Sequence, residues 1–326
     1  MTAGIDPGCV RLRLGSAQGR VSEVIVASER PAVAQVLRGR PADEAVRLVP
    51  LLFALCGKAQ GRAAVLALAA ARGEEYPAQL DAAIEQEVMR EHLWRWLLDL
   101  PPSLGAAAMR DEFVAAVGWI AVGRRDELAT LLAGSGIESL CRRLVEMEEP
   151  GDPRQPHLPP FLPPLEALGS LAQWPRLDAG FCQRPHWRGA AAETGALARQ
   201  QGRAGSTSSP FAARWLARLA ELRDWSTGNA RVGAGGTASA VQVAPGRGRA
   251  LVDTARGLLM HEVVLDGERI ADYFIVAPTE WNFHPQGPLA GWLRGRDAID
   301  RDAVQAYAAR AVAVLDPCVR WELEWL

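Results

Sequence analysis

Apolar and polar residues alternate through Val10-Arg11-Leu12-Arg13-Leu14 and again from Val21 to Val26, with Gly15 to Gly19 between them. That period of two predicts a β-hairpin near the start of the chain. From Asp43 to about Gly73 the period turns helical and Ala/Leu-rich, with Pro50 and the Cys56-Gly57 junction placed to kink or divide it. Tyr76 to Leu100 predicts an amphipathic helix ended by Pro101-Pro102, with His92, Trp94 and Trp96 as packing residues. Further helical patterns cover about 104–122, 125–133 and 137–148. Pro150 to Pro164 is too proline-rich for a regular helix or central strand and reads as a loop. A helix over Phe211 to Trp225 puts Phe211, Trp215, Leu219 and Leu222 on one face, and Gly228 to Gly236 follows as a turn region. Strand patterns then run over 240–243, 249–254, 258–265 and 270–276, with Asp266-Gly267 as a hairpin turn. After a loop over 278–288, a last helix from Asp302 to Val314 delivers the tail Leu315 to Glu324. No repeat of solenoid type is present. The expected class is α+β, a helical bundle with small antiparallel sheets, in one domain over 1–326.

Composition narrows the setting. With 326 residues, 49% of them hydrophobic, the chain can bury a large core. A net charge of −2 gives no electrostatic case for nucleic acid or an anionic membrane. The first residues lack the regions of a signal peptide, and the most apolar run, Ala63 to Ala71 between Arg62 and Arg72, is too short to span a bilayer. Five scattered cysteines do not form a secreted disulfide framework, so the expectation is a cytoplasmic protein with reduced thiols. Eleven Trp against three Tyr and seven Phe suggests indoles at interfaces or a pocket as well as in the core.

The candidate chemistry is sparse. Cys56 precedes a glycine, Cys318 follows the rigid Asp316-Pro317 pair, and thiolates are soft ligands for iron, nickel, zinc or copper(I). Neither has a Cys three residues on; Ala59 and Trp321 stand there. A lone Cys is more often a buried structural residue than a ligand. Cys182 and His186 are close in sequence but form no four-ligand pattern. Cys9 and Cys141 are expected to pack in the core, His261 to be a satisfied, half-buried strand residue, and His284 to be solvent-exposed in its loop. Gly233 to Gly236 lacks the strand–helix context of a phosphate loop, and no Ser/His/Asp arrangement stands out.

Two further stretches carry more information: Glu193-Thr194-Gly195-Ala196-Leu197-Ala198-Arg199, and the run from Ala255-Arg256-Gly257 through His261 to Ala277-Pro278-Thr279-Glu280-Trp281-Asn282. In this order, and ending in Asp316-Pro317-Cys318, they resemble the large subunit of nickel–iron hydrogenases. That family has an ETGPLAR-like segment, an arginine-glycine strand, a PTTWN-like loop and a Cys-x-x-Cys motif at each end. Here Cys56 and Cys318 match the first cysteine of each pair, while Ala59 and Trp321 replace the second. The histidine after the first motif falls at Ala63 and the C-terminal histidine at Glu324, and the Arg-x-Glu-Gly segment is degenerate around Asp6-Pro7-Gly8.

This half-ligand pattern resembles the HupK (HoxV) hydrogenase expression and formation proteins, relatives of the large subunit regarded as assembly scaffolds. The resemblance implies a reduced large-subunit fold that carries an iron–dicyanide–carbonyl unit. It would act between HypC/HypD-type maturation proteins and the large-subunit precursor, without enzymatic activity. It implies Cys56 and Cys318 as metal ligands and Arg256 and Thr279 as the residues near the cyanides. In the large subunit the second cysteine of each pair bridges the metals and the first binds nickel alone. The retained thiols are thus the nickel-side ones, and a metal-free mimic that docks maturation factors is the alternative. Trp321 in place of a bridging thiol, and Leu326 with no cleavable extension after it, argue against a catalytic precursor.

Overall fold

The structure is a computed structural model that describes residues 8–29, 33–75, 82–147, 159–165, 168, 174–200, 209–229 and 238–326. The hairpin forms as expected: β1 (Cys9–Ala17) pairs antiparallel with β2 (Arg20–Glu29), burying Val10, Leu12, Leu14, Val24 and Val26. A 3-10 turn leads to α1 (Ala42–Leu52), and a second, Ala54–Cys56, to α2 (Gly57–Arg72). The division falls just after Pro50 and at Cys56-Gly57. Gly73, left-handed at φ 71°, closes α2.

The next helix departs from expectation. Residues 76–81 lie outside the described set. α3 (Ala82–Leu93) runs into a π-helical turn, Trp94–Asp99, and continues as α4 (Leu100–Ser103) through both prolines. The wider turn resets the register, so Pro101 and Pro102 take first-turn positions that need no N–H donor. Helix therefore resumes only at α5 (Arg110–Val122), later than the pattern implied, followed by α6 (Arg125–Leu132) and α7 (Ser135–Glu146). Trp96 and His92 are buried, whereas Trp94 is 46% exposed and meets Phe113 edge-on. The Pro-rich loop lies mostly outside the described residues; its described part, 159–164, has neither helix nor strand beyond a bridge from Phe161 to Glu193.

α8 (Ala179–Gln183) and α9 (Ala196–Arg199) are short. α10 (Pro210–Ser226) starts on Ser209, whose hydroxyl accepts from Ala212 N, with Pro210 at the first position. Most of the Gly228–Gly236 stretch falls outside the described residues. β3 (Ala238–Ala244), β4 (Arg247–Thr254), β5 (Gly257–Asp266) and β6 (Arg269–Val276) form an antiparallel sheet in sequence order. α11 (Pro278–Asn282), α12 (Pro288–Leu293) and α13 (Arg301–Leu315) follow. The tail then adds an element the turn-and-thiol reading did not anticipate. β7 (Arg320–Trp325) pairs parallel with β1, giving the order β2-β1-β7. The α+β class stands, with one parallel pairing beside the antiparallel ones.

The four-stranded sheet is covered on both faces. Ala250, Val263 and Tyr273 pack with Leu66, Ala67 and Ala71 of α2, while Leu251, Met260 and Val276 pack with Trp174, Phe181 and Trp281. At Gly248 a Cβ would lie 2.1 Å from Ala71 N and 2.2 Å from Ala67 O, so glycine is what lets β4 approach α2 so closely. The helical core joins α3, α5, α6, α7, α10 and α13 to the first sheet.

Candidate metal centre

Cys56 is held where α1 gives way to α2. The Glu87 carboxylate accepts from Lys58 N at 2.9 Å and Ala59 N at 3.2 Å, meeting orphan donors of the first turn of α2. Gly57 is close to Pro50, whose carbonyl oxygen would be 3.2 Å from an added Cβ. Gln60, one turn on and therefore on the same face, donates to Cys56 Sγ at 3.5 Å.

Cys318 arrives from the other end of the chain. α13 stops at Asp316, which is left-handed at φ 55°, and Pro317 turns the backbone. Cys318 N donates to Thr279 Oγ1 at 3.2 Å, and the same oxygen lies 3.1 Å from Cys318 Sγ. That hydroxyl, one donor with two acceptor sites, can serve the amide and the sulfur together. Thr279, expected beside a cyanide, thus contacts the Cys318 thiol itself.

Arg256 is buried and tied to two acids. Its Nη2 donates to Glu91 Oε2 at 3.0 Å and its Nε lies 3.2 Å from Asp316 Oδ1. Arg95, on the π turn, reaches the same Asp316 oxygen at 2.7 Å. Burial alone would lower the Arg256 pKa, but Asp316, Glu91 and both thiols offset it and hold the guanidinium charged. Burial likewise favours protonated Asp316, and Arg256, Arg95 and Arg218 override it, keeping the carboxyl below its usual range. Arg218 donates to Val314 O at 2.6 Å, lies 5.2 Å over the Trp215 ring, and is lowered to about 10 chiefly by burial.

Cys56 feels the second thiol. Burial first, and then Cys318, push Cys56 up to about 12 against the lowering from Gln60 and Arg256. Cys56 is therefore a protonated thiol near neutral pH, and a metal ion taking that sulfur displaces a proton.

Cys56, Cys318, Thr279 and Arg256 thus converge from four separated segments, and a hydrogen-bonded frame holds them. Thr194 N donates to Asn282 Oδ1 at 2.9 Å, Asn282 Nδ2 to Arg256 O at 3.3 Å, and Leu258 N to Thr194 Oγ1 at 2.9 Å. Glu193 is bound to Arg214, with Nε to Oε1 at 2.7 Å. Arg199 grips Glu221 at 2.8 and 2.9 Å, and Glu221 also meets buried His92 at 2.7 Å.

Sequence reasoning missed Glu87, Glu91, Arg95 and the acid role of Asp316, because their partners lie far along the chain, and Gln60, although the spacing of four from Cys56 on a helix could have marked it. Two expectations are corrected. His284 is 8% exposed, its Nδ1 accepting from Gln286 N, because the loop folds inward. His261 is fully rather than half buried, because α2 covers its face of the sheet. Cys9 is buried and Cys141 packs against the core, as expected. Cys182 packs in the aromatic cluster with Trp281, and His186 against Phe181 at 5.0 Å. Among the described residues no group of three or more His, Cys, Asp or Glu side chains is arranged to hold a metal ion.

The fold and the sequence both have relatives. The NiFeSe hydrogenase of D. vulgaris Hildenborough in its reduced state superposes with a TM-score of 0.62 at 15% identity, over 93% of this chain and 94% of that one. The reduced, active NiFeSe hydrogenase of Desulfomicrobium baculatum gives 0.63 at 14% identity, over 94% and 95%. At such identity the likeness concerns the fold. The family model described as nickel-dependent hydrogenase matches residues 190–320. Hydrogenase expression/formation protein HoxV of Cupriavidus necator is 32% identical over 92% of each chain. HupK of Bradyrhizobium diazoefficiens is 32% identical over 91% of this chain, and HupK of Rhizobium leguminosarum bv. viciae 30% identical over 99%. With the large-subunit fold, the ordered motifs and identity of this extent, the chain belongs to the HoxV/HupK family of hydrogenase expression/formation proteins.

Proposed function

We propose that this protein is a cytoplasmic maturation scaffold for nickel–iron hydrogenase. It holds the iron–dicyanide–carbonyl unit as cargo on Cys56 and Cys318 and passes it to the large-subunit precursor, without catalysis of its own. Its partners on this reading are maturation proteins of HypC/HypD type and the precursor. The observation that carries the reading is that both thiols lie near Arg256, with Thr279 against Cys318, while the positions of the missing thiols hold side chains without a ligand atom. Ala59 is buried with its N–H on Glu87, and Trp321 is paired in β7 opposite Val10. A second bridging ligand pair is thus unavailable at those positions, and two thiolates suit one soft metal with open coordination sites.

Transfer favours such a site. Four thiolates in a closed cage hold metal tightly, whereas two leave room for an incoming ligand from the acceptor. Cyanide nitrogens accept hydrogen bonds, and Arg256, fixed in its plane by Glu91 and Asp316, supplies positive charge beside the sulfurs. The metal-free alternative draws on the retained thiols being the nickel-side ones of the large-subunit motif.

Infrared spectroscopy separates the two. Protein isolated anaerobically from maturation-competent cells should show cyanide and carbonyl stretches, and Cys56→Ser or Cys318→Ser should lose them while remaining folded. Absence of the bands with a working upstream pathway would sink the carrier. Normal hydrogenase maturation with both variants, and undiminished co-purification of partners, would establish the docking mimic.

A further inference from the structure

Behind Cys56 lies a line of buried polar groups that starts at Gln60 and runs on to His261 and Tyr273, which are not part of the proposed metal site. Gln60 Nε2 faces Cys56 Sγ at 3.5 Å, its Oε1 lies 2.8 Å from His261 Nε2, and His261 Nδ1 lies 2.8 Å from the Tyr273 hydroxyl. His261 is 0%, Gln60 1% and Tyr273 3% exposed. The geometry has a local origin. His261 on β5 and Tyr273 on β6 are diagonal neighbours on the face that α2 covers, and Gln60 is four residues after Cys56 on that helix.

We infer that Tyr273, His261 and Gln60 form a one-way hydrogen-bond relay that keeps an amide N–H on the Cys56 sulfur, making Gln60 a positioning residue for that atom. Two self-consistent arrangements of such a line exist. In one, Tyr273 O–H donates to His261 Nδ1, His261 Nε2–H donates to Gln60 Oε1, and Gln60 N–H donates to sulfur. In the other, the amide is flipped, His261 carries its hydrogen on Nδ1, and the thiol must donate to Gln60.

Tyr273 decides between them. Among the described residues its hydroxyl has no acceptor other than His261 Nδ1, so the second arrangement strands a buried O–H. That penalty biases the line by roughly tenfold or more towards the first. Burial holds His261 down at about 3 and pushes the Tyr273 phenol up, so the imidazole keeps one hydrogen and the phenol keeps its own. The sulfur is thereby offered a donor before any metal arrives, the arrangement suited to a metal-bound thiolate. The benefit to a ligand rests on the proposed role of Cys56; the direction of the relay does not.

The test uses the full-length, metal-free protein labelled with 15N-histidine. Long-range 1H–15N correlation, with the His261 signal assigned by its loss in His261→Gln, should find the hydrogen on Nε2. Tyr273→Phe should shift that tautomer towards Nδ1. With Cd(II) as probe, Tyr273→Phe and Gln60→Leu should each weaken binding by about fivefold, and Cys56→Ser should weaken it further. An Nδ1–H tautomer in the unaltered protein overturns the relay. So does Cd(II) affinity untouched by Gln60→Leu when Cys56→Ser abolishes it. If Tyr273→Phe fails to fold, the unaltered tautomer and Gln60→Leu still decide. If no Cd(II) binds while the tautomer behaves as stated, the relay stands and the metal-ligand reading falls.

Discussion

Asp316 sits at the meeting point of Arg95 and Arg256 with its side chain 3% exposed, and both cations share this carboxylate beside their other acids, Asp99 and Glu91. Asp316→Asn keeps the shape and removes the charge, so it should cost about 3–5 kcal/mol in urea unfolding at neutral pH. Arg320→Ala, which breaks a solvent-exposed pair with Glu322, should cost under about 1 kcal/mol. The buried imidazoles set a pH dependence. Burial lowers His261 to about 3 and also lowers His92, so between the ordinary histidine value and the folded value the unfolded chain binds protons that the native one does not. Stability is therefore full above about pH 6.5 and declines on acidification, by up to about 1.4 kcal/mol per pH unit for each such histidine. Unfolding followed from pH 7 to pH 5 should show this slope, and His261→Gln should flatten it. These couplings were illegible in sequence because a carboxylate at 91 and a guanidinium at 256 advertise nothing about each other.

At the scale of elements, local pattern was a good guide wherever the partner is near in sequence. The β1–β2 hairpin, the break at Cys56-Gly57 and the run β3 to β6 all follow from alternation and turn residues. It failed where a register change intervenes, as in the π turn that carries α4 through Pro101-Pro102 and sets Arg95 against Asp316. It also passed over β7, although Trp321, Leu323 and Trp325 alternate with charged residues, because the partner β1 lies at the opposite end of the chain. Two glycines mark close approaches between elements. Gly248→Ala should push β4 off α2 and cost at least about 1–3 kcal/mol, measured by thermal melting. Gly257, at φ 125° and with Thr194 Cγ2 2.4 Å from an added Cβ, should tolerate Ala no better, and its substitution should displace Arg256 from the thiols.

Across the whole molecule, Asn282 ties the Thr194, Arg256 and Thr279 segments together beside the thiols, so Asn282→Ala should loosen several at once. Amide hydrogen exchange should rise at Thr194, whose N–H loses its acceptor, with a global cost of about 1–3 kcal/mol. The sequence carries, in order, a thiol after a helix break, a Thr-Gly segment, an arginine-glycine strand, a Pro-Thr segment and a final thiol, and their resemblance to the large-subunit motifs is what marked them as candidates. Local chemistry determines the break at Cys56-Gly57 and the turn before Cys318, since glycine, proline and hydrophobic period act within a few residues. Only the tertiary structure decided that Cys56 and Cys318 share one neighbourhood, that Thr279 turns its hydroxyl to sulfur, and that Arg256 is clamped by Glu91 and Asp316. Those contacts join residues up to hundreds of positions apart, and their geometry exists only once the sheet and helices have packed and excluded water from between them.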